Sequence, residues 1–436
     1  MAVPGPSRTE ATDPIRIAMV AYGDISHDSR VQREAVTLAA VGHLVTVFCL
    51  AADPGAVAGL DRRVNIVIQP AAEGGVIPGS SSPFRRPRRG SRAVHLIDRA
   101  RWLWSYAATL RTWGRAVVES ERNVDVWHAH DFAGLMAVGG SKRGDTPLVY
   151  DVHDLVLESG IGAMLPRIGR WFLRRYERRL VRRSDLVIAV NEALAAVVAR
   201  RYQPKTVVAV HNCVPTWTPT EPHGDLIRKS AGIRPDAPVI LYHGILGPTR
   251  GIESLCEALL RPGLETAHLA LLGYGVVRER YVALAADPRF GGRVHVLDPV
   301  PPRELLPWVA SADVGAMVFP RATLNLYLST PNKLFECLAA GVPVVVSDFP
   351  AMRRIVMDDP LGPLGATCDP SSIDDIARAL VAVLGGSATT RDEIGRRCAQ
   401  AARDRWNWEA EAQTLISSYG RLLAQRAAPS VEAGGG

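Results

Sequence analysis

Short apolar runs alternate with longer amphipathic stretches along most of the chain. "IRIAMVAY" reads as a buried strand, "GDISHDS" as a loop, "RVQREAVTLAAVG" as a helix and "HLVTVFCL" as the next strand, which together make a βαβ unit. Ser29 and Gln32 stand at capping-box spacing, and Gly42 falls where a helix commonly ends in a left-handed residue. The rhythm continues through strand "VDVWHAH", helix "FAGLMAVGG", strand "PLVYDVHD", the helix around "IGRWFLRRYERRLVRR" and strand "DLVIAVN". It resumes with strand "PVILYHG", helix "IESLCEALL", strand "AHLALLGYG", a helix through "VVRERYVALA", strand "RVHVLDP", helix "RELLPWVASA" and strand "DVGAMVFP". Such alternation predicts parallel sheets covered by helices on both faces.

Between the two series lies "TWTPTEPHG", rich in Pro and Thr, the composition of a linker. The predicted organisation is a disordered leader (1–14), a first Rossmann-like domain (15–215), a linker (216–235), a second Rossmann-like domain (236–402), a C-terminal helix (403–426) and a disordered tail (427–436). "PGSSSPFRRPRRGSR" also reads as unpacked. The fold class is α/β, with two doubly wound parallel-sheet domains.

Composition agrees: 436 residues with 47% hydrophobic content are too many for one ordinary core and apolar enough for two. The net charge of +7 is modest and carried almost wholly by arginine, which gives no reason to expect a nucleic-acid partner. The cysteines are scattered without a CxxC pair or histidines at ligand spacing, so neither a zinc site nor a disulfide framework is predicted, and reduced thiols fit the cytoplasm. The leader lacks a signal-peptide core, and no apolar run approaches the roughly 18 residues of a membrane span.

Doubly wound sheets take ligands beyond the carboxyl ends of their strands, which directs attention to the residues after each strand. In "STPNKLFECLAAG" Thr330 reads as a helix cap, Pro331 as the first helical residue and Gly341 as the stop, leaving the first-turn amides near Asn332 free for an anion. Lys333 in that first turn opposes the helix dipole, a cost an anion would offset; the alternative is a lysine leaning into solvent. Glu336, one turn on and set among Leu334, Phe335, Cys337 and Leu338, suits a ribose diol better than a solvated surface. "YHGILGPTRGI" offers Gly244, Gly247 and Gly251 for close backbone approach and Arg250 for a diphosphate, against the plainer reading of a loop arginine. "LGYGVVR" fails the dinucleotide fingerprint, and Gly273 and Gly275 are expected to let a flat base lie on backbone.

In the first half, His128, His130 and Asp131 close one strand, and His153 and Asp154 another, where polar groups can hold a substrate hydroxyl. The arginine-rich helix keeps Ile168, Trp171, Phe172, Tyr176 and Leu180 at helical spacing. It is expected to be packed with a solvated basic face, in preference to lying on a membrane. There is no Walker A lysine, GxSxG elbow, HExxH or DxD triplet.

On "SRVQREAVTLAAVGHLVTVF", "VWHAHD", "YDVHD", "RRSDLVIAVN", "HGILGPTRGI" and above all "STPNKLFECLAAGVPVVVSDFP", the chain resembles the GT-B glycosyltransferases, specifically glycosyltransferase family 4, over nearly its whole length. The resemblance implies a retaining, metal-independent transfer of sugar from a nucleoside-diphosphate donor to a nucleophilic acceptor in a cleft between the domains, with no resident cofactor. It would give Glu336 the donor ribose, Arg250 and the amides near Asn332 and Lys333 the diphosphate, and His130 the transferred sugar. Ser26, His27, Arg30, Asp131, His153 and Asp154 would stand on the acceptor side, and the C-terminal helix would cross back to the first domain. Two positions depart from the family pattern: Leu328 replaces the first glutamate of its Glu-x7-Glu pair, and Ile245 a basic residue. Leu328 is accordingly expected to face a deoxygenated or modified sugar. The competing readings are a sugar-nucleotide epimerase or hydrolase on the same frame, and a non-catalytic sugar-nucleotide binder. The acceptor is either a lipid or glycan precursor, with peripheral membrane contact, or a small specialised metabolite.

Overall fold

A computed structural model describes residues 14–26, 28–57, 60–71, 92–141, 145–159, 162, 165–219, 225–386 and 388–427. The leader through residue 13, His27, most of "PGSSSPFRRPRRGSR" and the tail from residue 428 lie outside the described residues. Among those described, the first sheet comprises β1 (Arg16–Asp24), β2 (Leu44–Ala51), β3 (Val64–Ile68), β4 (Val126–His130), β5 (Leu148–Val152), β6 (Leu186–Ala189) and β7 (Val207–Ala209). The second comprises β8 (Val239–Ile245), β9 (His268–Tyr274), β10 (Val294–Leu297), β11 (Val314–Met317), β12 (Val344–Ser347) and β13 (Gly365–Cys368). The strands pair in parallel, in the orders β3-β2-β1-β4-β5-β6-β7 and β10-β9-β8-β11-β12-β13. Two Rossmann-like domains result, with strand order reversing between β1 and β4 and between β8 and β11, where open α/β sheets form their ligand crevice.

The sheets form because the central strands are buried on both faces: every residue of β4, β5, β6, β11 and β12 is buried. β3 and β7 lie at the first sheet's edges, only partly buried and without a long apolar run, which is why neither stands out in the sequence. The cap of helix Ser29–Ala40 is Asp28, whose carboxylate accepts from Val31 N at 3.1 Å, one residue earlier than the Ser29 reading. Within 216–235, residues 226–231 are helical and Ile227 is fully buried in the second core, which also takes in Cys213 and Val214.

The arginine-rich segment folds as helix Arg167–Val181, but its packed residues are Glu177, Leu180 and Val181. Ile168, Trp171 and Phe172 are 70%, 53% and 61% exposed, so the packed-helix expectation fails over its first half. Among the described residues no helix is long and apolar enough to cross a membrane.

The C-terminal segment is two helices, Ala388–Asp404 and Trp408–Ala427, broken at Asn407, whose side chain accepts from Ala410 N at 2.8 Å. Cys398 and Ala401 belong to the second core, whereas Trp408, Leu415, Tyr419 and Leu422 pack in the first domain against Val31, Ala35 and Leu38. Trp408 Nε1 donates to Thr37 at 2.9 Å, and the His211 imidazole lies 3.0 Å from Glu411 and 3.2 Å from Glu192. Burial disfavours the charged ring, but the two carboxylates outweigh it and push the His211 pKa up to about 9.

Candidate functional site

The β1/β4 crevice is floored by a buried polar cluster. Arg30 Nε and Nη2 donate to the two oxygens of Asp151, each at 2.7 Å, Nη1 donates to the Val210 carbonyl at 2.7 Å, and Nη2 lies 3.2 Å from Glu34. Residues 30 and 34 share a helix face by their spacing, and alternation in β4 and β5 puts His128, His130 and Asp151 beside them. His128 Nδ1 meets the Tyr419 hydroxyl at 2.8 Å, and its ring stacks on His130 with centroids 4.4 Å apart. Glu34, His128, His130 and Asp151 hold their ligand atoms within 4.8 Å of one another, a set a transition metal would accept. The Arg30 guanidinium, hydrogen-bonded to Asp151 and 3.2 Å from Glu34, already supplies positive charge beside this set.

Above this floor, His153 Nε2 donates to Asp151 at 2.8 Å, and its Nδ1 lies 3.5 Å from Asp131. Burial opposes its charge, yet Asp131 and Asp151 prevail and lift the pKa to about 10. His130 goes the other way, its pKa lowered first by burial, so the imidazole is neutral. Nδ1 lies 3.2 Å from both Asp151 and His153 Nε2, whereas Nε2 is buried with no hydrogen-bond partner among the described residues. Asp131 opens helix Asp131–Gly139 at φ +56°, a left-handed conformation a non-glycine residue adopts rarely and at a cost.

In the second domain, Lys333 Nζ lies 5.1 Å from the Tyr242 ring centroid and 5.5 Å from that of Phe319, over which Arg250 also sits at 5.6 Å. Burial and then Arg250 depress the Lys333 pKa to about 8 against the pull of Glu336. Glu336 accepts from His243 Nε2 at 2.7 Å; although burial raises its pKa, His243 and Lys333 outweigh that and keep it charged. Thr249, just before Arg250, has φ +63°, a second strained non-glycine residue at a strand-end loop and a β-branched one.

The structure therefore brings together Gly244, Arg250, Lys333 and Glu336 on one side, and His130, Asp131 and His153 on the other. Several expected residues do different work. Pro331, not Thr330, is the cap of helix Asn332–Ala339, with no side-chain capping bond; the Thr330 hydroxyl accepts from Asn191 at 3.2 Å. The Asn332 carboxamide accepts from Asn212 of the first domain at 3.0 Å, and Pro331 and Leu334 serve the helix start. Leu328 does not face a sugar: it is 7% exposed within the first domain's apolar cluster, and its carbonyl accepts from Asn191 at 2.8 Å.

Gly251 is required because a Cβ would lie 2.0 Å from the Val318 carbonyl oxygen. At Gly273 and Gly275 it would meet the Gly244 and Leu246 oxygens at 1.9 and 2.1 Å, so both glycines are required by the close approach of the neighbouring backbone. Arg30 is only 2% exposed and turned inward, Ser26 is hydrogen-bonded to Asp24 and Asp53, and Asp154 accepts from Asn325 of the second domain at 2.6 Å. Arg30 and Ser26 are thus buried away from an acceptor, whereas Asp154 stays exposed. Sequence reasoning missed Asp151, Glu34, Tyr419 and His243. A charged residue inside an otherwise apolar strand was the available signal for Asp151.

Two family models match the chain, one described as Glycosyltransferase Family 4 over residues 29–217 and one described as Glycosyl transferases group 1 over residues 237–385. A D-inositol 3-phosphate glycosyltransferase of Xylanimonas cellulosilytica is 29% identical over 330 residues, covering 71% of this chain and 75% of that protein. That of Kribbella flavida is 24% identical, covering 72% and 76%. Among solved structures, sucrose-phosphate synthase from Thermosynechococcus elongatus superposes with TM-score 0.68 at 17% identity, covering 94% of this chain and 100% of that one. Anabaena Alr3699/HepE in complex with UDP-glucose gives 0.66 at 16% identity, covering 93% and 100%.

Proposed function

From a chain that is a GT-B glycosyltransferase of the family-4 kind, we propose that it is a retaining, metal-independent enzyme drawing its sugar from a nucleoside-diphosphate donor held by the second domain. The observation that carries this reading is the grouping of Arg250 and Lys333, both over Phe319, beside a charged Glu336. Two cations match a diphosphate, and a carboxylate braced by His243 matches a ribose diol. His130 Nε2 accepts a hydroxyl of the transferred sugar. The acceptor oxygen bonds to the anomeric carbon as the bond from that carbon to the diphosphate breaks, and the acceptor proton passes to the leaving phosphate. An epimerase or hydrolase would need no acceptor pocket, and the cavity of the first domain would serve as one in a transferase.

The test is a thermal-shift screen of nucleoside diphosphates on the full chain. One of them at a hundred times its dissociation constant stabilises by about 2.7 kcal/mol. The shift persists in EDTA and is lost in Glu336→Ala, which still melts cooperatively. A chain that no nucleoside diphosphate stabilises would refute the reading.

The exposed Ile168, Trp171 and Phe172 lie on a helix that also carries Arg167, Arg170, Arg174, Arg175, Arg178 and Arg179. We propose that this face rests on an anionic membrane, apolar residues entering the interface and each arginine near the surface adding about 1 kcal/mol. Vesicles containing anionic lipid should co-sediment the protein and neutral vesicles should not, and Trp171→Ser with Phe172→Ser should weaken binding about tenfold. Equal pelleting by neutral vesicles, or none by either, would refute it.

A further inference from the structure

A cavity of about 400 Å³ opens in the first domain beside His130, Asp131 and His153. That volume lies in the range that encloses most of a drug-sized ligand. Its walls are Trp102, Tyr106, Phe132, Met136, Leu157 and Leu173. The aromatic part is prebuilt: the Trp102 and Tyr106 rings stack with centroids 5.3 Å apart and planes 7° apart, and Tyr22 packs edge-on against both Tyr106 and Trp113. Such rings present flat apolar area that needs no reorganisation when a ligand enters.

The charges at this cavity have one sign apart from histidine. Among the described residues that line it there is no lysine or arginine, whereas Asp24, Asp28 and Asp131 are present. Arg30, the neighbouring cation, is spent on Asp151 and Glu34 beneath the floor. An inositol phosphate, the compound in the relatives' names, would bring its dianion to carboxylates and aromatic rings, and the protonated His153 among the described lining residues is already held between Asp131 and Asp151. His130, Asp131 and His153 stand together, His153 within 3.2 Å of His130 and 3.5 Å of Asp131, and apart from Asp24 and Asp28 the other described lining residues are mostly apolar.

From this polarity we infer that the cavity binds an uncharged acceptor with an apolar body, aromatic or alkyl, whose nucleophile is presented at the His130–Asp131 end. The inference rests on the glycosyltransferase reading and names its acceptor class. The same wall chemistry suits a soluble aromatic alcohol and the chain of a membrane lipid, and the two are told apart by which probe binds.

The experiment is calorimetric titration of the full chain with 2-naphthol, 1-decanol and myo-inositol 3-phosphate, run beside the nucleoside-diphosphate thermal shift. At least one alcohol binds and the inositol phosphate does not; tighter naphthol binding assigns a soluble aromatic acceptor, tighter decanol binding a lipid chain. Ala107→Trp, which fills the cavity from its wall, weakens the alcohol by at least about tenfold and leaves the nucleoside-diphosphate shift intact. Leu173→Arg, on a helix at the surface, weakens the alcohol and brings inositol phosphate binding within reach. Inositol phosphate binding the unaltered chain more tightly than either alcohol overturns the inference, as does absence of alcohol binding or alcohol affinity unmoved by both substitutions. Loss of the nucleotide shift with alcohol binding retained would instead count against the donor reading alone.

Discussion

Replacing Arg30 by Met lowers the free energy of unfolding by about 3–5 kcal/mol, the cost of removing one partner from a buried, hydrogen-bonded ion pair. The side chain is 2% exposed and its partners Asp151 and Glu34 are wholly buried, so no water replaces the lost bonds. Glu34 contributes little charge of its own: burial and then Asp151 raise its pKa to about 8 against the pull of Arg30, leaving it protonated at neutral pH. Asp151 is different, because burial penalises its charge but Arg30 and His153 together hold its pKa well below the usual range. Met approximates the volume of the stem, so the loss is electrostatic in origin and not a cavity effect. Arg30→Lys recovers less than half of it, since an ammonium cannot reach both Asp151 oxygens and the Val210 carbonyl in one plane. Denaturant unfolding followed by circular dichroism measures both variants. A cost below about 1 kcal/mol for Arg30→Met would show that the pair does not anchor helix Ser29–Ala40 to the sheet.

That cluster marks the limit of what could be read from the chain. The alternation of strands and helices was legible because β4, β5, β8, β9, β11 and β12 are apolar and flanked by glycine, proline or polar loops; it gave two doubly wound sheets directly. Edge strands such as β3 and β7 were not, since partial burial leaves no continuous apolar run. Arg250, Lys333 and Glu336 were legible because charge beside a helix start or inside an apolar helix has few structural uses. The direction in which a charge faces was not legible: Arg30 and Asp131 both stand near a strand end, and only the packing of helix Ser29–Ala40 on β5 turns the first inward. Leu328 shows the same limit from the apolar side. A glutamate's absence from an expected position said nothing of what the leucine does, which is to close the first domain's apolar cluster from across the cleft. The exposed aromatics of helix Arg167–Val181 were misread because helical spacing identifies a face without identifying what covers it.

Lys333→Ala and Arg250→Ala each weaken nucleoside-diphosphate binding by roughly ten- to a hundredfold, the 1.5–3 kcal/mol of a hydrogen bond to a charged group. The two losses are not independent. Arg250 holds the Lys333 pKa down near 8 alongside burial, so deleting Arg250 lets the lysine charge more readily and regain part of the grip, and the double variant loses more than the single losses sum to. The pH dependence follows from the same coupling. Only the protonated amine draws phosphate; below about 8 Lys333 carries its charge, and above it the amine empties, so affinity falls as pH rises through 8. In Arg250→Ala the fall begins at higher pH, and in Lys333→Ala it is absent. Calorimetric titration of the nucleoside diphosphate from about pH 6 to 9.5 reads all three profiles, with melting curves confirming that each variant is folded. A flat profile for the unaltered chain, or a Lys333→Ala affinity within about threefold of it, would place the diphosphate away from Lys333 and remove the cationic half of the proposed donor site.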